Sequence, residues 1–267
     1  MIDPFQALVL AMLQGLTEFL PISSSAHLVF PSLLLGWPDQ GLTFDVAVHL
    51  GTLLAVVWYY RRDLGQIAAA WLQSLAGGAS TTDSRMVWYL LFATLPVGLM
   101  GVLQGQLIEN QARVLPVIAS TTLVFGLLLG FADRHAQRTP GDRPLNFGLA
   151  MFIGLAQALA LIPGVSRSGV TITAALLLNM SRHDAARFSF LLSIPVIAGA
   201  GLVKTVDLVE SSTAVNWSQM GLASAVSAVT AYLCIALFLR LLDRVGMMPF
   251  VYYRIVLAAL LFAIWLV

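Results

Sequence analysis

The chain has 267 residues, of which 59% are apolar and 10% charged, with a net charge of +1 and a mean hydropathy of +0.87. Soluble domains carry about 25% charge and about 45–50% apolar residues, so a soluble globular protein, a disordered chain and a coiled coil are excluded, and the small net charge excludes a nucleic-acid binder. A single cysteine, Cys234, excludes an internal disulfide and a multi-cysteine metal site, which leaves an integral membrane protein.

Residues 5–20 are apolar but contain Gln14 and Glu18, and they break at Pro21-Ile22-Ser23-Ser24-Ser25. A second apolar stretch, 26–36, follows. Each piece is short against the roughly 20 residues of a full crossing, so the pattern predicts a helix–loop–helix hairpin that enters the bilayer and turns back. An ordinary spanning pair is the alternative. The stretch does not read as a signal peptide, because it lacks a basic start and carries Glu18 in its apolar part. Spanning helices are predicted at 43–60, 87–103 and 114–132, followed by a charged link at 132–144. A second hairpin is predicted from 147–162 and 170–180, broken at Pro163-Gly164-Val165-Ser166-Arg167-Ser168-Gly169. Irregular backbone at that depth needs protein or a wet cavity around it. Three more spans follow at 188–203, 220–239 and 249–267.

The expected fold is therefore an all-α integral membrane protein, one polytopic domain over 1–267, with six transmembrane helices and two re-entrant hairpins. Its halves, about 1–131 and 145–267, resemble each other at an offset of about 143 residues. Gln14 matches Gln157, Pro21 matches Pro163, the serine run from Ser23 matches Ser166–Ser168, and Phe44 matches Phe188. The matched hairpins are expected to run in opposite directions, as in an inverted-topology repeat. Basic residues set the orientation. Arg61, Arg62, Arg85, Arg134, Arg138, Arg143, Arg182, Arg187, Arg240, Arg244 and Arg254 fall on one side, expected to be cytoplasmic; Arg113 and Lys204 fall on the other. Both termini are then expected outside.

An ionisable group inside a membrane is expensive and marks function by default. Glu18, His27 and Arg167 sit in the hairpins. Gln14 and Glu18 share a helix face and can hold a hard cation such as Mg²⁺ or Ca²⁺; a buried glutamate neutralised by Arg167 is the other reading. Ser23, Ser24 and Ser25 can cap the following helix, bind an anion, or supply a nucleophile near His27. The tip from Gly164 to Thr171 has the character of a phosphate site: glycines allow close approach, Ser166, Ser168 and Thr171 add donors, and Arg167 offers a planar fork. It is not a Walker loop. A glycine-hinged break with Arg167 paired to Glu18 explains the same string. Asp45 and His49, at i,i+4 near the outer end of the 43–60 span, either line the entrance to the site or form a structural polar pair. His135 and His183 are expected to be solvated, and Cys234 and the small residues at 199–201 and 221–231 to pack helices closely.

Gln14-Gly-Leu-Thr-Glu18-Phe-Leu-Pro-Ile-Ser-Ser-Ser-Ala-His27 and Pro163-Gly-Val-Ser-Arg-Ser-Gly-Val-Thr171 resemble the two signature motifs of bacterial undecaprenyl-diphosphate phosphatases of the bacitracin-resistance type. The resemblance covers essentially the whole chain. It implies hydrolysis of a polyprenyl diphosphate lipid to the monophosphate and inorganic phosphate, recycling the carrier for peptidoglycan synthesis and conferring bacitracin resistance, with a divalent cation. It places the chain in the bacterial inner membrane with the site open to the outer face. It assigns Glu18, Ser24 and His27 from the first motif and Ser166, Arg167 and Thr171 from the second. The family's first motif begins with Glu or Gln; here it is Gln14, the neutral form.

These readings join into one expected site. Catalytic roles fall to Glu18, Ser24, His27 and Arg167, substrate binding to Ser23, Ser25, Ser166, Ser168, Gly169 and Thr171, and cation binding to Gln14 and Glu18. Ser24 either attacks phosphorus or orients a water. The partners expected are the lipid diphosphate and bilayer lipid, with no nucleic acid and with a homodimer left open. A polyprenyl-phosphate transporter or flippase using the same pocket is the alternative function.

Overall fold

A computed structural model describes residues 2–112, 114–138, 143–210 and 216–266. Every regular element among them is helical: α1 Pro4–Thr17, α2 Ser24–Leu35, α3 Gly41–Tyr59, α4 Arg61–Leu75, α5 Thr82–Ala112, α6 Leu115–Arg138, α7 Phe147–Ala158, α8 Arg167–Leu177, α9 Arg182–Glu210, α10 Trp217–Val245 and α11 Met248–Leu266. A 3₁₀ turn, Leu159–Leu161, extends α7. Arg113, residues 139–142 of the predicted link, and Val267 at the end of the last predicted span lie outside the described residues.

Six helices are long and apolar enough to cross a membrane: α3, α5, α6, α9, α10 and α11. They correspond to the six predicted spans. Large apolar side chains such as Leu54, Leu99, Leu202, Leu233 and Val256 are exposed on their outer faces, as a lipid solvent requires. The sequence reading missed α4, an amphipathic helix that buries Ile67 while Leu72 and Leu75 stay exposed.

Local chemistry sets the helix ends. Asp3 and Gln6 form a reciprocal cap on α1, with Gln6 N–H donating to Asp3 Oδ1 at 2.8 Å and Asp3 N–H to Gln6 Oε1 at 3.0 Å. Asn146 caps α7 through Leu149 N–H at 3.0 Å. The 3₁₀ turn after α7 stops two residues before Pro163, and α1 stops four residues before Pro21. A residue before proline is pushed out of the helical region, and Ile162, before Pro163, is extended at φ −76°, ψ 122°. The structure thus has two helix–break–helix units at the predicted places.

Packing is close where small residues meet. α1 lies on α10 and α7 on α5, while α3 meets α9 and α6 meets α11. A Cβ on Gly15 would stand 2.7 Å from the Ser227 carbonyl, and one on Gly154 would stand 2.6 Å from Ala93 Cα, so each contact depends on the missing side chain. The small residues at 199–201 do not pack this way. A Cβ on Gly199 or Gly201 would meet nothing, and Ala200 and Gly201 line a cavity instead. At one end of the bundle, buried Asp133 on α6 accepts from Arg182 Nε at 2.6 Å and Nη2 at 2.9 Å. Arg187 and Asp63 add a second pair at 3.0 Å.

Candidate active site

The two breaks face each other across one cavity of about 530 Å³. The first contributes Glu18 and Ser23–Ser25, and the second Ser166 and Arg167. Asp45 and His49 of α3 and Lys204 of α9 stand on the same wall system, which is completed by apolar Val46, Val97, Leu161, Val196 and Ile197. Polar and apolar side chains share this lining, the apolar ones offering a surface suited to hydrocarbon.

Glu18, at the C-terminal cap of α1, is the hub. Its Oε2 accepts from Gln14 Nε2 at 2.9 Å and Ser24 Oγ at 3.1 Å; its Oε1 accepts from Arg167 Nη2 at 3.2 Å. Arg167 opens α8 and donates through Nη1 to the Ser189 carbonyl at 3.2 Å, with its guanidinium carbon 5.8 Å from the centre of the Phe19 ring. Two of its five N–H donors are thus engaged within the protein. Ser24 and Arg167 are the first residues of α2 and α8, so two helix N-termini open on the cavity. Such termini favour an anion.

The remaining predicted residues divide. Ser23, Ser25 and Ser166 line the cavity. Ser168, Gly169 and Thr171 do not; they hold the second break in place. Ser168 Oγ donates to the Leu20 carbonyl at 2.9 Å, Gly169 N–H donates to Ser166 Oγ at 3.1 Å, and Thr171 Oγ1 meets Ser189 Oγ at 2.7 Å. His27 also lies off the cavity wall. Its Nδ1 donates to the Ser23 carbonyl at 2.7 Å, and its Nε2 meets the Tyr253 hydroxyl at 2.6 Å, the two rings being stacked. Gln14 is fully buried and turns its amide nitrogen toward Glu18, leaving Oε1 without a partner.

A match to the family model described as "Bacitracin resistance protein BacA" spans residues 7–260. The chain belongs to this family. A curated relative named undecaprenyl-diphosphatase from Alcanivorax borkumensis is 59% identical over 265 residues, covering 99% of both chains. One of the same name from Teredinibacter turnerae is 56% identical over 260 residues, 97% of this chain and 98% of the relative. Undecaprenyl-diphosphatase 2 of Stutzerimonas stutzeri is 54% identical over 266 residues, covering 98% of each.

Two residues of this family member matter more than the sequence reading allowed. His49 faces Glu18, its Nε2 3.9 Å from Oε2, and donates through Nδ1 to the Asp45 carbonyl at 2.7 Å. Arg254, counted above among the cytoplasmic arginines, is fully buried at the breaks. It donates to the carbonyls of Thr122 (3.0 Å), Pro21 (3.3 Å), Val165 (3.1 Å), Thr121 (3.4 Å) and Gly164 (2.9 Å). Its place inside an apolar run was the available signal; the assignment to a helix end hid it.

The residues present suit a hard cation. Among the described residues no three His, Cys, Asp or Glu side chains cluster closely enough for a metal. The Glu18 carboxylate and His49 Nε2 nevertheless face each other in the cavity at 3.9 Å, while the unpartnered Gln14 Oε1 is buried off its wall. Mg²⁺ is commonly held by one or two protein groups, with substrate phosphate and water completing the shell.

Proposed function

We propose that this chain hydrolyses undecaprenyl diphosphate to undecaprenyl phosphate and inorganic phosphate in the cavity between the two breaks. One observation carries the site assignment: Ser24, Glu18 and Arg167 form a single hydrogen-bonded chain at two converging helix N-termini, against an apolar wall. The family and the names of the relatives supply the reaction and the link to bacitracin resistance.

The diphosphate enters among the polar side chains, with its isoprenoid chain along Val97, Val196 and Ile197. The remaining donors of Arg167 clamp phosphate oxygens, and Ser166 and the N–H groups at the start of α8 add to them. Ser24 Oγ already donates to Glu18, so the carboxylate that takes its proton is in place whether the hydroxyl attacks phosphorus or orients a water. The bond from the terminal phosphorus to the bridging oxygen breaks and the lipid monophosphate leaves as the anion; on the serine route a water then hydrolyses the phosphoserine to release inorganic phosphate. A divalent cation bound beside Glu18 would neutralise charge developing on the transferred group. His27 holds the Ser23 backbone and so fixes the start of α2.

The breaks are read as re-entrant hairpins of an inverted repeat in the bacterial inner membrane, the cavity opening to the outer side. The matched packing of α1 on α10 and α7 on α5 supports the repeat. With Arg254 set aside, ten arginines read as cytoplasmic stand against Arg113 and Lys204 on the other side, and Lys204 lines the cavity. The same broken helices suit a polyprenyl-phosphate flippase. Phosphate release by the detergent-purified protein from undecaprenyl diphosphate, with EDTA as control, separates the two: hydrolysis yields inorganic phosphate and stops on chelation, whereas transport yields none.

A further inference from the structure

We propose that His49, rather than Gln14, is the second protein ligand of the divalent cation at Glu18. This rests on the cation-assisted hydrolysis proposed above and adds a nitrogen ligand from α3. His49 Nδ1 donates to the Asp45 carbonyl at 2.7 Å, which leaves Nε2 as the lone-pair nitrogen. A metal-binding imidazole is characteristically held in this way, its other N–H on a carbonyl or carboxylate.

That lone pair faces Glu18 Oε2 at 3.9 Å. The separation exceeds a hydrogen bond, and a neutral ring's lone pair opposite a carboxylate is relieved by a cation, or by a proton on Nε2, between them. A cation about 2.0–2.2 Å from each atom is within reach of both. Glu18 Oε2 already accepts from Gln14 and Ser24 and Oε1 from Arg167, so a cation at Oε2 takes the place of one of the two donors there. Gln14 is less suited. It presents its amide nitrogen, a donor that cannot ligate a cation, to the carboxylate at 2.9 Å. His27 is excluded because both its nitrogens are engaged away from the cavity. A cation between Glu18 and His49 also stands beside Ser24, whose Oγ is 3.1 Å from Oε2.

The test uses the full chain in detergent loaded with Mn²⁺ alone, read by electron spin-echo envelope modulation and by Mn²⁺ titration. Wild type and His27→Gln should show the nitrogen modulation of a bound imidazole. His49→Gln should lose it and bind Mn²⁺ at least about tenfold more weakly, the lower bound for losing even an outer-shell partner. His49→Asp should recover affinity without the nitrogen signal. Modulation that persists in His49→Gln, or disappears in His27→Gln, overturns the proposal. Mn²⁺ bound by wild type with no nitrogen modulation overturns the His49 ligand while leaving a cation at Glu18. Phosphate release that needs no metal, in a protein that binds no Mn²⁺, overturns the cation reading as well.

Discussion

Ser23 and Ser166 stand 143 residues apart and hold the same left-handed backbone, with φ at 76° and 71°. Each precedes the first residue of a helix, and each hydroxyl lies near that of the serine two positions on, at 3.1 Å for Ser23 with Ser25 and 3.3 Å for Ser166 with Ser168. Such a conformation costs a non-glycine residue about 1–2 kcal/mol. Strain of this kind persists where the surroundings over-determine it, and functional clefts are where it collects. Here it turns the chain sharply enough to aim the starts of α2 and α8 into one cavity.

Arg167 uses separate arms for Glu18 and the Ser189 carbonyl. Arg167→Ala should lower the rate of phosphate release by about 10³-fold or more, the scale of phosphoryl-transfer arginines. Arg167→Lys should also be poor, because a point charge does not replace a fork. A steady-state assay on folded variants decides this; near-normal turnover in Arg167→Ala removes the residue from the mechanism.

The two routes open to Ser24 differ in a trapped species. Direct attack predicts a phosphoserine at Ser24 after rapid acid quench, detectable by peptide mass spectrometry. It also predicts that Ser24→Ala loses nearly all turnover. Substantial metal-dependent turnover in a folded Ser24→Ala protein assigns the hydroxyl to orienting water.

Arg254 bonds five carbonyls, and among the described residues no acidic side chain hydrogen-bonds to it. Arg254→Met leaves buried acceptors bare, each costing about 1–3 kcal/mol. The variant should lose at least about 3 kcal/mol of stability, seen as a lowered thermal midpoint in detergent, and activity should fall with it. A stable Arg254→Met protein would mean that the breaks hold without this guanidinium.

Gly164 has φ +89°, and a Cβ there would stand 2.5 Å from the Ile118 carbonyl; Gly36 has φ +63° with open space around it. Both Gly→Ala changes cost the left-handed penalty of about 1–2 kcal/mol. Gly164→Ala should cost about 1–3 kcal/mol more, the scale of overpacking. Thermal unfolding of the two variants side by side measures the difference.

The spans were legible because hydropathy over a run of residues is a local property, and the breaks because Pro21 and Pro163 interrupt apolar runs. Helix α4 escaped for the complementary reason: its apolar run, residues 67–72, lies between polar flanks and is far shorter than the roughly 20 residues by which the spans were found. Glu18, Ser24 and Arg167 were legible from their motifs. His49 and Arg254 were not, because their roles exist only through partners distant in sequence. Glu18 is brought to His49 where α1 packs against α3, beyond the intervening α2, and Arg254 meets Pro21 and Gly164 only once α11 packs on α6. The displacement of His27 from the cavity has the same origin, since Tyr253, its partner at Nε2, is also on α11.

That dependence on α11 sets an order of events during synthesis. Glu18 and Ser24 leave the ribosome early and Arg167 midway, yet both breaks keep bare carbonyls until the last described helix delivers Arg254. A nascent chain that stalls before α11 carries every catalytic group proposed above but no lock between them. Insertion of α11 and maturation of the site are therefore a single step, and a product truncated before α11 would be inert rather than a hydrolase with poor control.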